Sequence, residues 1–197
     1  MRKLALTSCV LALTAGVSAS RADSQTPRKV QVGLGGGATL PMGDYADDVK
    51  SGFHGLAYLQ YEPERNIWGV RGEALYTRGD FTEEARGDAG VGPDAKVYSS
   101  TLYLGASAVL LGRKRDRGLT PYLLGGLGYY RTTATIDGTV SQSVTESGVG
   151  YSGGAGVRFG KEMGFFVESR FHAFSVSPEG GAKSTYQMIP LSVGVRF

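Results

Sequence analysis

The sequence has almost none of the residues that build disulfides or metal centres. Its 197 residues include one cysteine and two histidines. The cysteine, Cys9, lies in an apolar segment near the amino terminus, so the rest of the chain has no thiol for a disulfide or a thiolate metal site. Two histidines, His54 and His172, are too few to build a histidine-rich metal cage. We therefore expect neither a metal nor a cofactor.

A large excess of charge of one sign is also lacking. Lys and Arg number 21 against 18 Asp and Glu, which gives a formal net charge of +3. Two of the basic residues, Arg2 and Lys3, fall in the first 19 positions, so the remainder is almost balanced. This balance argues against a nucleic-acid-binding domain, and we expect no nucleic acid as a partner.

Long hydrophobic runs are confined to the start of the chain. The basic residues Arg2 and Lys3 precede an apolar stretch from Leu4 to Val17, which is followed by small residues. This pattern predicts a cleaved signal peptide over residues 1–19, with cleavage possible up to residue 22, rather than a membrane-spanning helix. We expect residues 20–29 to be a periplasmic lead-in and residues 30–197 to form one exported domain.

In the rest of the sequence, apolar and polar residues alternate with a period of two. The domain is rich in glycine, 31 in the whole chain, about twice the usual share of about 7%. Alternation of this kind predicts β-strands. The eight segments run approximately over 30–40, 52–62, 66–79, 97–111, 120–133, 148–160, 164–176 and 186–197.

The polar faces of these segments carry charges and glycines rather than the many Lys and Thr of a solvated surface. In the seventh segment, for example, Phe165 and Val167 share one face, whereas Glu168 and Arg170 share the other. Small residues with compensating charges are typical of the interior of a narrow membrane barrel, whose apolar face points outwards. The candidate lumen charges are Arg71, Glu73, Arg158, Glu168, Arg170, His172 and Arg196.

The connections between segments alternate in length. Residues 62–65, 112–119 and 160–163 form short turns, whereas 41–51, 80–96, 134–147 and 177–185 form longer loops. Aromatic residues cluster near the segment ends, among them Trp68 and Tyr76. Outer-membrane barrels combine short periplasmic turns, longer external loops and aromatic girdles. The sequence therefore predicts an all-β, eight-stranded antiparallel up-and-down transmembrane β-barrel, monomeric, with both termini in the periplasm. A soluble lipocalin-like barrel is the alternative fold.

Three stretches carry a family resemblance. Met188–Phe197 resembles the C-terminal strand of bacterial outer-membrane barrels, and Pro121–Tyr129 and Phe165–His172 resemble segments of the small OmpA/OmpX-like porin-family barrels. The resemblance implies a location in the outer membrane, contact with its lipid and lipopolysaccharide, and recognition of the terminal Phe197 by the barrel assembly machinery. It does not indicate an activity, because such families include porins, adhesins and structural proteins.

Three functions are open at this point. We expect a non-enzymatic protein of the cell envelope, whose lumen is plugged by salt bridges and whose loops are exposed at the cell surface for envelope integrity or surface interaction. A narrow porin for small solutes, in which the lumen charges act as a gate, is the first alternative. The second is a lipid-modifying barrel enzyme of the PagL type, but the His-x-Ser pattern of those enzymes is missing at both His54 and His172.

Overall fold

The structure is a computed structural model that describes residues 30–63, 66–88, 96–112, 118–137, 142–160, 163–176 and 184–197. Within these ranges eight antiparallel strands form one closed barrel. The strands are β1 (Val30–Met42), β2 (Gly52–Tyr61), β3 (Trp68–Asp80), β4 (Lys96–Leu111), β5 (Thr120–Asp137), β6 (Gln142–Phe159), β7 (Gly164–Val176) and β8 (Ser184–Arg196). The predicted fold class is confirmed, whereas the predicted signal peptide lies outside the described residues.

Each strand pairs with its neighbours in the sequence, and β1 pairs with β8 to close the barrel. Leu34, for example, lies opposite Ala57 on β2 and opposite Val195 on β8. A closed barrel pairs its backbone groups between strands and leaves no open sheet edge towards lipid. The strand order is therefore the simple up-and-down order that the alternating connections predict.

The two ends of the barrel differ. At the end that holds Val30 and Arg196, the connections between strands cover residues 62–67, 112–119 and 160–163, whereas the connections at the opposite end include the two longest, over residues 43–51 and 81–95. We call the end that holds Val30 and Arg196 the terminal end, and the opposite end the loop end. Because short turns face the periplasm in outer-membrane barrels, we assign the terminal end to the periplasm.

The two faces of the strands have opposite character. On β8, Leu191 and Val193 point outwards and are 44% and 61% exposed, whereas Met188 and Ser192 point inwards and are buried. In a soluble barrel the apolar face would be the buried one. Here the outer surface is apolar and the interior is largely polar, so the barrel wall is built to contact lipid.

The structure corrects the sequence analysis in the loops. The sequence predicts a loop over residues 134–147, but β5 continues to Asp137 and β6 begins at Gln142, so most of this segment is a paired hairpin. Beyond the membrane both faces of a strand contact water, and the apolar alternation that marks a strand is lost. The two other corrections are the short helices α1 (Asp44–Asp48) and α2 (Glu83–Asp88), which fall in the expected loops. No helix in the described ranges is long and apolar enough to span a membrane.

Candidate functional site

All seven predicted lumen residues lie on the inner face of the barrel and are buried. Strand β3 carries two of them, β6 one, β7 three and β8 one. Within each strand these residues occupy every second position, and successive side chains of a strand point to opposite faces. The alternation of the sequence is therefore enough to identify them as inward-facing. They are Arg71, Glu73, Arg158, Glu168, Arg170, His172 and Arg196, and none is more than 8% exposed.

Four of these residues meet in one layer across the middle of the lumen. Arg71 Nη1 lies 2.6 Å from Glu168 Oε2, and Arg170 forms an ion pair with Glu73. Arg170 Nη1 also lies 3.8 Å from Glu168 Oε1. Strands β3 and β7 lie four positions apart in a ring of eight, so these pairs connect opposite walls. We call these four residues the ionic layer. It holds two positive and two negative side chains.

Uncharged side chains supply further hydrogen bonds to the ionic layer, and three of its buried atoms, Arg71 Nη2, Glu168 Oε1 and Arg170 Nε, have no hydrogen-bond partner among the described residues. Around Glu168, the Tyr122 hydroxyl donates to Oε2 at 2.7 Å. Around Glu73, the Ser107 hydroxyl donates to Oε1 at 2.7 Å. Arg71 Nε donates to Gln60 Oε1 at 2.8 Å. Charges taken out of water are stable only when their partners are well placed, and the uncharged partners named here come from three strands, β2, β4 and β5.

Two arginines form a separate cluster at the terminal end of the lumen. Arg158 and Arg196 both donate to Gln31 Oε1, each over 3.1 Å. Arg158 also forms an ion pair with Glu62, and Arg196 Nη2 donates to the Gly160 carbonyl oxygen over 2.9 Å. The sequence analysis treats these arginines and the ionic layer as one network. In the structure Gln60 links the two groups, because its side chain accepts from Arg71 and donates to Glu62.

Glu62 is a lumen residue that the sequence analysis missed, because it follows the last residue of β2 and falls in a predicted turn. Its even number continues the inward face of β2, which includes His54, Tyr58 and Gln60. The sequence could have revealed Glu62 if the alternation of inward and outward positions had been extended by one residue beyond the apparent end of the strand. The side chain is 16% exposed, so the lumen cluster reaches close to the water at the terminal end.

His172 lies apart from the ion pairs, in a column of aromatic rings. Its Nδ1 lies 2.9 Å from the Tyr130 hydroxyl. The ring centroids of Tyr103 and Tyr130 lie 4.7 Å apart, and Tyr130 stacks on Phe174 at 4.2 Å. Phe174 contacts Tyr186 at 5.5 Å. We call these four rings, together with His172, the aromatic column. It lies in the loop half of the lumen, on the loop side of the ionic layer, and its members are buried except for Tyr186, which is partly buried.

At the loop end, the segment that carries α1 packs beside β1 and β8 and against the aromatic column. Tyr45 on α1 is buried, its ring lies 4.9 Å from that of Tyr186, and its hydroxyl lies 3.2 Å from Ser99 Oγ. Backbone hydrogen bonds join this segment to the next loop, for example from Thr82 N to Asp48 O at 2.8 Å. The aromatic column thus continues from the middle of the barrel to a cap at the loop end.

A serine and a histidine also meet in the lumen. His54 Nε2 lies 2.8 Å from Ser192 Oγ, and His54 Nδ1 lies 3.0 Å from Thr39 Oγ1. All three residues are buried. A serine hydrolase orients its histidine with a carboxylate, whereas the third group here is a hydroxyl. We interpret this trio as a hydrogen-bonded part of the lumen filling.

The described residues contain no cluster of three or more His, Cys, Asp or Glu side chains placed to bind a metal ion. At the loop end the acidic side chains of Asp44, Asp47, Asp48, Glu83 and Glu84 are exposed to solvent.

These features define a transmembrane barrel, and the sequence comparison agrees on this class of protein. The chain belongs to the family described as outer membrane protein beta-barrel domain, which matches residues 9–197. Its location is therefore the bacterial outer membrane. No curated protein matches the sequence at a significant level.

Two solved structures show the same fold. Neisserial surface protein A (NspA) is 18% identical, with a TM-score of 0.55 over 85% of this chain and 96% of that chain. A major outer membrane protein from Thermus thermophilus is 10% identical, with a TM-score of 0.57 over 85% of this chain and 98% of that chain. Identities this low establish the common fold and leave the activity to be argued from the lumen itself.

Proposed function

We propose that the protein is a non-enzymatic, non-conducting barrel that contributes to the integrity of the outer membrane and displays an ordered cap at the cell surface. The observation that carries this proposal is the presence of two groups of buried side chains, the ionic layer and the aromatic column, in series along the lumen. The interior of an eight-stranded barrel is just wide enough for its own side chains to fill it or for one small ligand. Ions would have to displace both the ionic layer and the aromatic column.

The contents of each layer support closure. In the ionic layer, Arg71 and Glu168 are fully buried and bonded across the full width of the barrel. In the aromatic column, Tyr103 and Tyr130 are also fully buried. Opening a path would require breaking buried ion pairs, which costs several kcal/mol once one charge loses its partner. The narrow porin is therefore the less favoured interpretation.

The absence of an enzyme activity is part of the proposal. A lipid-modifying enzyme needs a nucleophile and a base that meet its substrate. The Ser192 and His54 pair lies inside the barrel, on the face opposite to lipid, and is buried. Its third member, Thr39, supplies no negative charge to stabilise a protonated histidine.

The expected partners also remain proposals. The apolar outer wall supports contact with membrane lipid and lipopolysaccharide, and the closed β1–β8 seam supports a monomer. Phe197 lies at this seam, where its N–H donates to Val32 O at 2.9 Å. We propose that it is recognised by the assembly machinery. Replacement of Phe197 by alanine should lower the amount of heat-modifiable barrel in the outer membrane, whereas replacement of the exposed Val193 should not.

The test of the closed lumen is the single-channel conductance of the refolded protein in a planar bilayer. The wild-type protein should insert and produce no conductance steps. Arg170→Ala and Glu168→Ala remove members of the ionic layer, and Val167→Ala, on the lipid-facing side of the same strand, is the matched control. The opposite result would be reproducible conductance steps from the wild type whose size or selectivity changes in the two lumen variants but not in the control. That result would overturn the proposal in favour of the narrow porin.

A further inference from the structure

The terminal-end cluster holds two guanidinium groups around one uncharged acceptor. Arg158 Nη1 and Arg196 Nη1 each lie 3.1 Å from Gln31 Oε1, so the two nitrogen atoms are at most twice that distance apart. The side chains are 5% and 8% exposed. Two buried positive charges at this separation repel each other, and this repulsion destabilises the folded state unless negative charge lies nearby.

Among the described residues, one side-chain carboxylate contacts this arginine pair. Glu62 forms its ion pair with Arg158, and it also accepts a hydrogen bond from Gln60. Arg196 instead donates to neutral acceptors, namely Gln31 and the Gly160 carbonyl oxygen. The carboxylate of the last residue, Phe197, accepts the Val32 N–H, and no ion pair among the described residues joins it to Arg158 or Arg196. The cluster of Arg158, Arg196 and Glu62 therefore carries one net positive charge, in contrast to the neutral ionic layer.

The hydrogen-bond inventory of the cluster is also incomplete. Arg158 Nε and Arg196 Nε are both buried and have no hydrogen-bond partner in the described part of the chain. Arg71 Nη2 and Arg170 Nε of the ionic layer share this deficit, but there each arginine has its own carboxylate, so only the terminal-end cluster combines unpartnered donors with an excess of positive charge. A buried donor on a charged group that lacks an acceptor costs free energy. One extra ligand with negative charge and several acceptor oxygens would correct both deficits at once.

We propose that Arg158 and Arg196 form an anion-binding site at the terminal end of the lumen, and that its ligand is a small oxyanion of the phosphate type. A guanidinium group presents several N–H donors in a fixed fork that matches the oxygens of such an anion. Glu62 keeps the site from carrying two uncompensated charges when it is empty. The site faces the periplasm in our assignment, and it does not depend on whether the lumen conducts.

Isothermal titration calorimetry with inorganic phosphate tests the site, using the refolded full chain in a non-ionic detergent at constant ionic strength. The wild type should bind one phosphate saturably. Arg196→Gln removes the arginine that lacks a carboxylate, and it should weaken binding by about tenfold or more. Glu62→Gln should act in the opposite direction and strengthen binding, because it removes the competing negative charge. The matched control is Arg131→Gln, which removes the same charge from the exposed outer face of β5 and should leave binding unchanged.

Three outcomes would overturn the proposal. One is the absence of saturable binding by the wild type. Another is an equal loss in Arg196→Gln and Arg131→Gln, which would mean that phosphate is an adventitious ion attracted by net charge. The third is weaker rather than stronger binding in a folded Glu62→Gln protein. If Arg196→Gln does not fold, Arg196→Lys keeps the charge without the fork and should still bind more weakly than the wild type.

The phosphate group could belong to a free anion or to a lipid headgroup at the periplasmic rim. Phosphatidylglycerol added to the same micelles separates these sources. If phosphatidylglycerol lowers the binding of inorganic phosphate in the wild type and has no such effect in Arg196→Gln, the site is assigned to a lipid headgroup. If phosphatidylglycerol leaves the binding of inorganic phosphate by the wild type unchanged, the site is assigned to a free periplasmic anion.

Discussion

Arg71 and Glu168 form an ion pair that spans the barrel from one wall to the opposite wall. The distance from Arg71 Nη1 to Glu168 Oε2 is 2.6 Å, and both side chains are fully buried. The two residues are 97 positions apart in the sequence. Arg71 also lies over the ring of Tyr58, with its Cζ 4.0 Å from the ring centroid. The pair therefore ties β3 to β7 inside the lumen, where no backbone hydrogen bond could do so.

Removal of one member of this pair should destabilise the barrel strongly. Glu168→Leu leaves Arg71 buried without its carboxylate, and we expect the free energy of unfolding to fall by about 3–5 kcal/mol. Urea unfolding of the refolded protein, followed by fluorescence of the single tryptophan, measures this. The double variant Arg71→Met with Glu168→Leu should recover most of the loss, because it leaves no unpaired charge. Equal losses in the single and double variants would show that packing rather than charge sets the stability here.

The aromatic column should respond to the loss of one ring. Phe174 is buried between Tyr130 and Tyr186, so Phe174→Ala leaves a cavity in the loop half of the lumen. We expect a loss of about 3–5 kcal/mol in the free energy of unfolding. The matched control is Phe165→Ala on the same strand, because Phe165 points towards lipid and is 64% exposed. Its loss in unfolding free energy should be clearly smaller, and a larger loss at Phe165 would contradict a packed lumen.

Glycines on the two faces of β5 should differ in their tolerance of a side chain. A Cβ at Gly128 would collide with the ring of Tyr103 and lie 2.8 Å from the Leu104 carbonyl oxygen. A Cβ at Gly125 would meet only the Ser152 carbonyl oxygen at 3.9 Å. Gly128→Ala should therefore lower the unfolding free energy by about 1–3 kcal/mol, and Gly125→Ala should not lower it. The temperature at which the folded band disappears on unboiled SDS gels gives the comparison. Equal temperatures for the two variants would disprove the inward placement of Gly128.

The cap at the loop end should depend on Tyr45. Tyr45→Ala removes the ring contact with Tyr186 and the hydroxyl contact with Ser99. We expect faster hydrogen exchange of the amides of residues 45–49, with the barrel strands unchanged, because the strands pair independently of the cap. Asp47→Asn, at an exposed position on the same helix, is the control. Unchanged exchange in Tyr45→Ala would mean that the backbone bonds to Thr82 hold the cap by themselves.

The strand pattern and the direction of each side chain are predictable from the sequence. The predicted seventh segment covers residues 164–176, and β7 has these bounds. Alternation also predicts that Arg71, Glu168 and Arg196 face inwards, because the parity of a residue in a strand decides its face. The limits of this reasoning lie beyond the membrane, where both faces of β5 and β6 contact water and the alternation fades.

The grouping of the inward residues was decided by the tertiary structure alone. The alternation of positions along a strand does not reveal how deep in the lumen a residue lies, because depth depends on the stagger between strands. It also does not reveal which strand forms the opposite wall. These relationships place Glu168 against Arg71, separate Arg158 from the ionic layer, and put His172 among aromatic rings. The sequence by itself therefore determined the barrel and the polarity of its interior, through the local periodicity of strands. Only the closed three-dimensional register determined which charges neutralise each other, and among the described residues it placed one contacting carboxylate, Glu62, beside the two guanidinium groups of Arg158 and Arg196.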